Sequence, residues 1–103
     1  MEFKNVTVVK KANIYFDGKV VSYTVKFEDG TTKTLGCMQV GDYTFNTGSA
    51  EVMEFLSGEL SVELPNQKEP LIIHSQATFE VPANSSFTLH VKSIADYCCS
   101  YAK

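Results

Sequence analysis

The segment spanning residues 41–58 carries the residues whose types and spacing could support chemistry. Phe45 and Thr47 stand one residue apart, Glu51 follows four positions after Thr47, and Gly58 follows seven after that. Two histidines at positions 45 and 47 would, with the glutamate, supply three donors to a transition metal. Phenylalanine and threonine stand there instead, and one carboxylate without an imidazole cannot hold such an ion. The segment therefore predicts a site with no metal and no other cofactor.

Length and composition indicate an ordinary globular domain. The chain has 103 residues, of which 44% are hydrophobic and 20% charged, so we expect one domain over residues 1–103 with a single modest core. A second copy would help to bury the remaining apolar surface, and a homodimer is the expected assembly. The formal net charge of −3 argues against binding of polymeric nucleic acid, which is held largely by clustered Lys and Arg.

The sequence predicts neither a targeting signal nor a reactive cysteine. The first residues contain no apolar signal region, and no run of about 18 apolar residues suggests a membrane span. We therefore expect a cytoplasmic protein without a membrane partner. Cys37, Cys98 and Cys99 form an odd set without CxxC spacing, which is typical of reduced core thiols.

Short segments rich in β-branched and aromatic residues predict strands almost throughout, and no segment predicts a helix. Asp17-Gly18 and Asp29-Gly30 are turn signals, and the second of them predicts a hairpin. The predicted strands are Ile14–Phe16, Val20–Phe27, Thr32–Met38, Tyr43–Asn46, Glu51–Leu56, Leu60–Leu64, Leu71–His74, Ala77–Val81, Phe87–Val91 and Tyr97–Tyr101. Regular short strands broken by Gly, Pro and Asn favour an all-β fold, and a small jelly-roll barrel fits best.

Several stretches resemble a known family of small cupins. They are Tyr-Phe-Asp-Gly-Lys at 15–19, Gly-x-Tyr-x-Phe at 41–45, Glu-x-Met at 51–53 with Ser57-Gly58, and Val-Pro-Ala-Asn-Ser-Ser-Phe at 81–87. From about Asn5 to Tyr101 the chain is similar to the pyrimidine/purine nucleoside phosphorylases. The resemblance implies a single-domain cupin. The further ligand that metal-binding cupins carry after the proline of a second motif falls on Phe87 in this chain.

The resemblance also implies an activity. Inorganic phosphate would attack the anomeric carbon of a purine or pyrimidine nucleoside, giving free base and ribose 1-phosphate with broad base specificity. The implied enzyme is a metal-independent pentosyl transferase with phosphate as co-substrate and nucleosides as partners. Some members carry arginine where this chain has Ser100, and the present chain contains no arginine at all.

Strand alternation places a set of candidate site residues on one side of the predicted sheet. If Glu51 points inward, six residues share the inner face: Tyr43, Phe45, Thr47, Glu51, Met53 and Phe55. Glu51 and Tyr43 are the catalytic candidates, because a carboxylate accepts hydrogen bonds from ribose hydroxyls and stabilises a cationic transition state. The alternatives are a salt bridge or an exposed orientation for the glutamate, and a hydroxyl satisfied at the barrel rim for the tyrosine.

The remaining candidates would bind substrate. Phe45 and Phe87 could sandwich a base of any identity, with Met53 as a further wall, although core filling is the alternative. Phosphate donors are harder to identify, because no glycine-rich phosphate loop is present. The candidates are Thr47, Ser57, Lys19 and Asn84, whose alternative roles are turn capping and solvent exposure. His90 alternates with inward residues and is expected to face away from the lumen.

Two other classes of function stay open at this stage. One is a small-molecule binding or sensing barrel that keeps the pocket without turnover. The other is a structural dimerisation barrel whose lumen is packed solid by aromatic side chains: Phe45, Phe55, Phe79 and Phe87. Cavity volume separates the last from the others, since ligand pockets are typically about 300 to 1,000 Å³.

Overall fold

A computed structural model describes residues 2–101, and these form an all-β domain. Eleven strands are divided between two sheets. Their bounds are Thr7–Val8 (β1), Asn13–Tyr15 (β2), Val20–Lys26 (β3), Thr32–Met38 (β4), Gly41–Asn46 (β5), Glu51–Ser57 (β6), Glu59–Glu63 (β7), Leu71–His74 (β8), Ala77–Val81 (β9), Ser86–Val91 (β10) and Ala95–Tyr101 (β11). The predicted strands are confirmed to within a few residues, and β1 is the one the sequence did not predict.

The larger sheet has seven strands in the order β1-β3-β4-β11-β6-β9, with β2 also paired to β3. Its pairs are antiparallel, and the β3–β4 hairpin turns at the predicted Asp29-Gly30. The carboxylate of Asp29 accepts hydrogen bonds from the backbone and hydroxyl of Thr31 at 2.9 and 2.6 Å. This local bonding fixes the turn, and with it the register of β3 against β4.

The smaller sheet has four antiparallel strands in the order β5-β10-β7-β8. Alternating buried residues on both sheets form a single hydrophobic core between them, with Phe55, Val62 and Leu89 almost completely inaccessible to solvent. Burial of these apolar side chains from both sides holds the sheets together.

The expectation of a closed barrel is wrong, because the two sheets of the described chain do not join at their edges. Within residues 2–101, backbone pairing assembles two separate sheets, and no strand pair joins one sheet to the other. The sheets instead meet face to face through side chains such as Tyr43 and Phe87 on one side and Met53 and Phe79 on the other. Bulky aromatic residues on both inner faces hold the sheets apart as layers, which leaves their edges unjoined.

A tight turn connects β2 to β3 and positions the end of β2. Phe16, Asp17 and Gly18 have φ values of 51°, 56° and 91°, a left-handed run that only the glycine adopts without strain. The Phe16 ring packs against Tyr43 and Phe45 at centroid distances of 5.0 and 5.3 Å. These ring contacts stabilise the strained turn.

The cysteines differ from one another in exposure. Cys98 and Cys99 are buried free thiols, as expected, but Cys37 is exposed. The prediction of three core thiols is therefore wrong for Cys37, whose side chain lies on the outer face of β4 between the inward Gly36 and Met38.

Between residues 2 and 101, no helix has the length and apolar character that crossing a membrane would require.

Candidate functional site

A cavity of about 240 Å³ lies between the two sheets and contains Glu51. The seven-stranded sheet supplies one wall, the four-stranded sheet supplies the facing wall, and Tyr15 at the end of β2 stands at the mouth. The lining residues are Tyr15, Ser22, Thr34, Met38, Phe45, Asn46, Glu51, Met53, Phe87, Tyr97, Cys99 and Tyr101. The volume is just under the usual range for ligand pockets, so the interior is not packed solid by its aromatic residues.

Glu51 is the carboxylate of this cavity. It begins β6 and lies directly across the β6–β11 pair from Tyr101. The Cys99 thiol donates a hydrogen bond to its Oε1 at 3.5 Å. Burial raises the pKa of the Glu51 carboxyl, and the thiol hydrogen bond opposes that shift. The sequence-based expectation that Glu51 points inward therefore agrees with the structure.

The other ionisable groups on this wall belong to β11 and are neutral at physiological pH. Burial raises the pKa of the Cys99 thiol to about 12, and the Glu51 charge adds to the effect. Burial likewise raises the pKa of Tyr97 to about 12 and that of Tyr101 above its ordinary value. Cys99 is therefore a hydrogen-bond donor rather than a thiolate nucleophile.

Hydroxyl groups form another part of the same wall. Ser22 and Thr34 are buried, with 2% and 7% of their surfaces exposed. The Asn13 side-chain amide donates to Ser22 Oγ at 3.3 Å and to Thr24 Oγ1 at 3.1 Å. Thr34 Oγ1 lies 3.3 Å from the Tyr101 hydroxyl. This network supplies neutral donors and acceptors to the cavity.

Phe45 and Phe87 form the facing aromatic wall. They are directly opposed residues on β5 and β10, with ring centroids 6.0 Å apart and planes 27° from parallel. Because both belong to one sheet, they lie side by side, and a base cannot be sandwiched between them as expected. They present a broad aromatic surface, extended by Tyr15, whose ring meets Phe45 edge-on at 5.8 Å. Met53 lines the cavity from the opposite sheet.

Two predicted residues face inward but lie outside the cavity lining. Tyr43 is buried, and its hydroxyl donates to the Gln39 carbonyl at 2.7 Å. Burial raises its pKa, and Asp42 adds to the shift. The Thr47 hydroxyl donates to the Pro82 carbonyl at 2.7 Å and accepts from the Ser85 amide at 3.0 Å. Both hydroxyls are occupied by the main chain, which leaves their roles in catalysis and binding as predictions.

The other predicted phosphate donors also lie apart from the cavity lining. Ser57 is exposed, and its hydroxyl donates to Asp96 at 3.3 Å. Lys19 is exposed just after the strained turn, and its backbone carbonyl accepts from the Gln39 amide at 2.8 Å. Asn84 is exposed with a φ of 53°, and its backbone amide donates to the Gly48 carbonyl at 3.1 Å. The structure does not bring these three together with Glu51.

Charged and metal-ligating groups are sparse around the cavity. In the described part of the chain no lysine lines it, and no cluster of three or more His, Cys, Asp or Glu is arranged to hold a metal. His90 lies on the outer face of β10, as alternation predicted, with Nδ1 2.7 Å from Asp42 Oδ1 and Nε2 in contact with Glu63. Ser100 alternates with the lining residues of β11 and lies on the outer face, so an arginine there would not point into this cavity.

Eight of the lining residues were not predicted as site residues: Tyr15, Ser22, Thr34, Met38, Asn46, Tyr97, Cys99 and Tyr101. Alternation could have indicated most of them. Tyr97, Cys99 and Tyr101 share one face of β11 by their spacing of two. Ser22 and Thr34 are polar residues at inward positions of strands that otherwise bury apolar ones. A buried hydroxyl at an inward position is the signal that identifies such a wall.

Relatives of the chain bear the name of the family that its sequence resembles. The family described as pyrimidine/purine nucleoside phosphorylase matches residues 10–101. A pyrimidine/purine nucleoside phosphorylase from Syntrophotalea carbinolica is 60% identical over 102 residues, covering 99% of this chain and 98% of its own length. Another, from Sulfurimonas denitrificans, is 59% identical with the same coverage.

Solved structures support the fold. A protein of unknown function from Acinetobacter superposes with a TM-score of 0.93 at 41% identity, covering 98% of both chains. A putative ethanolamine utilization protein from Salmonella typhimurium shares the fold at a TM-score of 0.66 and 17% identity, over 84% of this chain and 75% of its own. The family match and the similarity of its relatives over nearly the whole chain confirm the resemblance seen in the sequence. The chain therefore belongs to the pyrimidine/purine nucleoside phosphorylase family.

Proposed function

We propose that this protein is a nucleoside phosphorylase that cleaves purine and pyrimidine nucleosides with inorganic phosphate, and that the cavity around Glu51 is its active site. The observation that carries the proposal is the single partly buried carboxylate facing an aromatic wall. Membership of the family and relatives of that name support the enzyme class. Broad base specificity and the use of phosphate belong to the proposal.

The reaction exchanges one bond at the sugar for another. A phosphate oxygen forms a bond to the anomeric carbon as the bond from that carbon to the base nitrogen breaks. The electron pair leaves with the base, which takes up a proton from water, and ribose 1-phosphate remains. Positive charge builds on the sugar in the transition state, so an enzyme gains most by placing negative charge beside the ribose.

Glu51 is suited to that task. Its partly buried carboxylate accepts hydrogen bonds from ribose hydroxyls and stabilises the developing cation at short range, where water screens the charge little. The Cys99 thiol fixes one carboxylate oxygen at 3.5 Å. The other oxygen is available to the sugar.

The aromatic wall is suited to bases of different kinds. Stacking on Phe45 and Phe87 uses the face of the base and ignores the hydrogen-bonding edge that distinguishes purines from pyrimidines. The rings lie 6.0 Å apart and together cover an area that accommodates one or two fused rings. This geometry favours broad specificity.

A direct test measures free base released from uridine, inosine and adenosine by chelator-treated protein, with and without inorganic phosphate. The proposal expects release that depends on phosphate, survives chelation and yields ribose 1-phosphate in equal amount. Release without phosphate would instead indicate a hydrolase. No release from any of the three nucleosides would contradict the proposal.

A non-catalytic binding or sensing protein is the second candidate, and one observation favours it. Within residues 2–101, no cation lines the cavity, whereas phosphate-transferring sites commonly use Lys or Arg. Saturable binding of uridine by calorimetry, together with no base release, would support this candidate in place of the phosphorylase.

Four finer properties complete the proposal. The two-sheet fold is a cupin-type jelly roll opened at its edges, and the reaction needs no metal or other cofactor. A homodimer is supported by exposed apolar side chains near the cavity, among them Phe16 and Val40, and sedimentation equilibrium tests it. A cytoplasmic location agrees with the free thiols, because disulfides are rare in reducing compartments.

A further inference from the structure

We propose that the Tyr15 hydroxyl binds the edge of the base that lies farthest from the sugar, and that it tolerates a carbonyl or an amino group there. This inference rests on the proposed function and extends it to recognition of the base. It also gives a role to the Tyr-Phe-Asp-Gly-Lys stretch at residues 15–19, which the reaction at Glu51 does not use.

Strand pairing turns the Tyr15 side chain toward the cavity. Tyr15 lies opposite Val20 in the β2–β3 pair, and Val20 is completely buried in the core between the sheets. Cross-strand partners share one face of a sheet. The Tyr15 side chain therefore projects from the inner face of the seven-stranded sheet, where it lines the cavity.

The hydroxyl of Tyr15 is free to bind a ligand. Within residues 2–101 it has no hydrogen-bond partner. The other hydroxyl groups of the cavity are bonded to one another, Ser22 to Tyr97 and Thr34 to Tyr101. Tyr15 therefore offers substrate a hydroxyl that no protein group of the described chain already uses.

Tyr15 and Glu51 lie at opposite ends of the inner face. The row of paired residues that includes Tyr15 meets β11 at its first residue, Ala95. Glu51 instead lies opposite the last residue of β11, Tyr101. A nucleoside whose ribose contacts Glu51 would therefore point its base toward Tyr15. The group that it presents there is the substituent at C4 of a pyrimidine or C6 of a purine.

A tyrosine hydroxyl suits this edge because it both donates and accepts hydrogen bonds. In uridine and inosine the edge carries a carbonyl oxygen, to which the hydroxyl donates. In adenosine it carries an amino group, from which the hydroxyl oxygen accepts. The Tyr15 and Phe45 ring planes are 80° apart, so a base stacked on Phe45 would not stack on Tyr15. The hydroxyl is the group of Tyr15 that can hold such a base.

The turn after β2 holds Tyr15 in place. Two residues of this turn other than glycine have positive φ values, 51° and 56°, and such strain is commonly kept at functional sites. The Gln39 amide donates to the Lys19 carbonyl at 2.8 Å, and the Gln39 carbonyl accepts from the Tyr43 hydroxyl at 2.7 Å. The buried Tyr43 thus anchors the turn through Gln39.

The test compares three purine nucleosides that differ at position 6. This position carries a carbonyl oxygen in inosine, an amino group in adenosine and a hydrogen in purine riboside. For each nucleoside, kcat/KM for phosphorolysis is measured in the wild type and in Tyr15→Phe, which keeps the ring. We expect the variant to lose about 3- to 10-fold with inosine and with adenosine, as for one hydrogen bond. Its kcat/KM with purine riboside should equal that of the wild type.

Tyr23→Phe is the matched control. Tyr23 is as exposed as Tyr15, at 44% against 42%, and does not line the cavity, so its variant should keep kcat/KM with all three nucleosides. Equal losses with all three in Tyr15→Phe would assign the effect to closure of the cavity mouth and would overturn the inference. An unchanged kcat/KM with inosine or with adenosine would overturn it too.

Failure of the proposed function is distinguishable from failure of this inference. If the wild-type protein releases no base, the dissociation constants of inosine and purine riboside are measured by calorimetry. Tighter binding of inosine that is lost in Tyr15→Phe but kept in Tyr23→Phe would support the contact without the enzyme activity. Equal binding of the two nucleosides, or binding of neither, would overturn the contact as well. Circular dichroism confirms that each variant is folded.

Discussion

The Cys99 thiol and the Glu51 carboxylate form a partly buried hydrogen-bonded pair across strands β11 and β6, with Sγ 3.5 Å from Oε1. The Glu51 charge opposes ionisation of the Cys99 thiol, whereas the hydrogen bond from the thiol favours ionisation of Glu51. The proton stays on sulfur, since the pKa of Cys99 is raised to about 12, and the carboxylate carries the charge. The thiol therefore acts as a positioning group for Glu51.

The first prediction concerns pH. Burial raises the pKa of Glu51, and the Cys99 hydrogen bond lowers it. Activity that needs the carboxylate is lost as pH falls through this raised pKa. Cys99→Ala removes the opposing hydrogen bond, so the acid limb of kcat/KM should move to higher pH. The comparison is a pH profile of uridine phosphorolysis.

Cys98→Ala is the matched control for this profile, because Cys98 is the adjacent buried thiol and does not line the cavity. Its acid limb should coincide with that of the wild type. Coincident limbs in all three proteins would show that Cys99 does not influence Glu51.

The second prediction concerns the aromatic wall. Phe45→Leu keeps an apolar side chain and removes the ring on which a base would stack. KM should rise by about 5- to 150-fold, the range for one lost stacking contact, and to a similar degree for uridine, inosine and adenosine. Phe27→Leu removes a ring that lies outside the cavity lining and packs on Phe3, with the ring centroids 5.0 Å apart. This change should alter no KM. A rise confined to one nucleoside would contradict base-independent stacking.

The third prediction concerns the close approach of β3 and β4 beneath the cavity. A Cβ added at Gly36 would lie 2.4 Å from the Val21 carbonyl oxygen and 2.7 Å from Ser22 Cβ. Gly36→Ala should therefore destabilise the fold by about 1 to 3 kcal/mol or more, since backbone must move. At Gly48 an added Cβ meets no atom within 4 Å, and Gly48→Ala should stay within about 0.5 kcal/mol of the wild type. Urea unfolding compares them, and equal stabilities would refute the steric argument.

The fourth prediction concerns His90 on the outer face. Hydrogen bonds that the His90 ring donates to the carboxylate of Glu63, and then to that of Asp42, raise the pKa of His90 above its ordinary value of 6.5. The folded state therefore binds the proton more tightly than the unfolded state, and the stabilisation is fully present below pH 6.5 and lost as pH rises through the folded pKa. His90→Gln should lower stability at pH 5.5 by less than about 1 kcal/mol, because the site is partly exposed.

The same variant should have almost no effect at pH 9, where the histidine of the wild type is neutral. Thermal unfolding at the two pH values gives the comparison. An equal loss of stability at both values would assign the effect to packing rather than to the proton.

The strands could be predicted because their information is local. Val20–Lys26 and Thr32–Met38 alternate between buried and exposed residues around an Asp-Gly turn, and each of these signals lies within a few residues. β1 was missed because it has only two exposed residues, Thr7 and Val8. The separation into two sheets was missed because it depends on which distant edges pair, and alternation does not encode that.

The candidate site was likewise predicted only in part from the sequence. Alternation correctly placed Glu51, Phe45 and Met53 toward the interior, and all three line the cavity. It also placed Tyr43 and Thr47 inward, but it could not show that their hydroxyls donate to the main-chain carbonyls of Gln39 and Pro82. The hydroxyl groups of the cavity wall come together through the strand order of the seven-stranded sheet, which places Thr34 beside Tyr101, 67 residues later in the chain.

The central claim is that the carboxylate of Glu51 drives cleavage of the nucleoside. The most direct measurement compares kcat/KM for uridine phosphorolysis in Glu51→Gln and Glu54→Gln. Both are on β6 and undergo the same change, but Glu54 is exposed on the outer face. We expect a loss of about 100-fold or more in Glu51→Gln, typical of removing one electrostatic contact to a transition state, and less than about 2-fold in Glu54→Gln. Similar activities in the two folded variants would contradict the account.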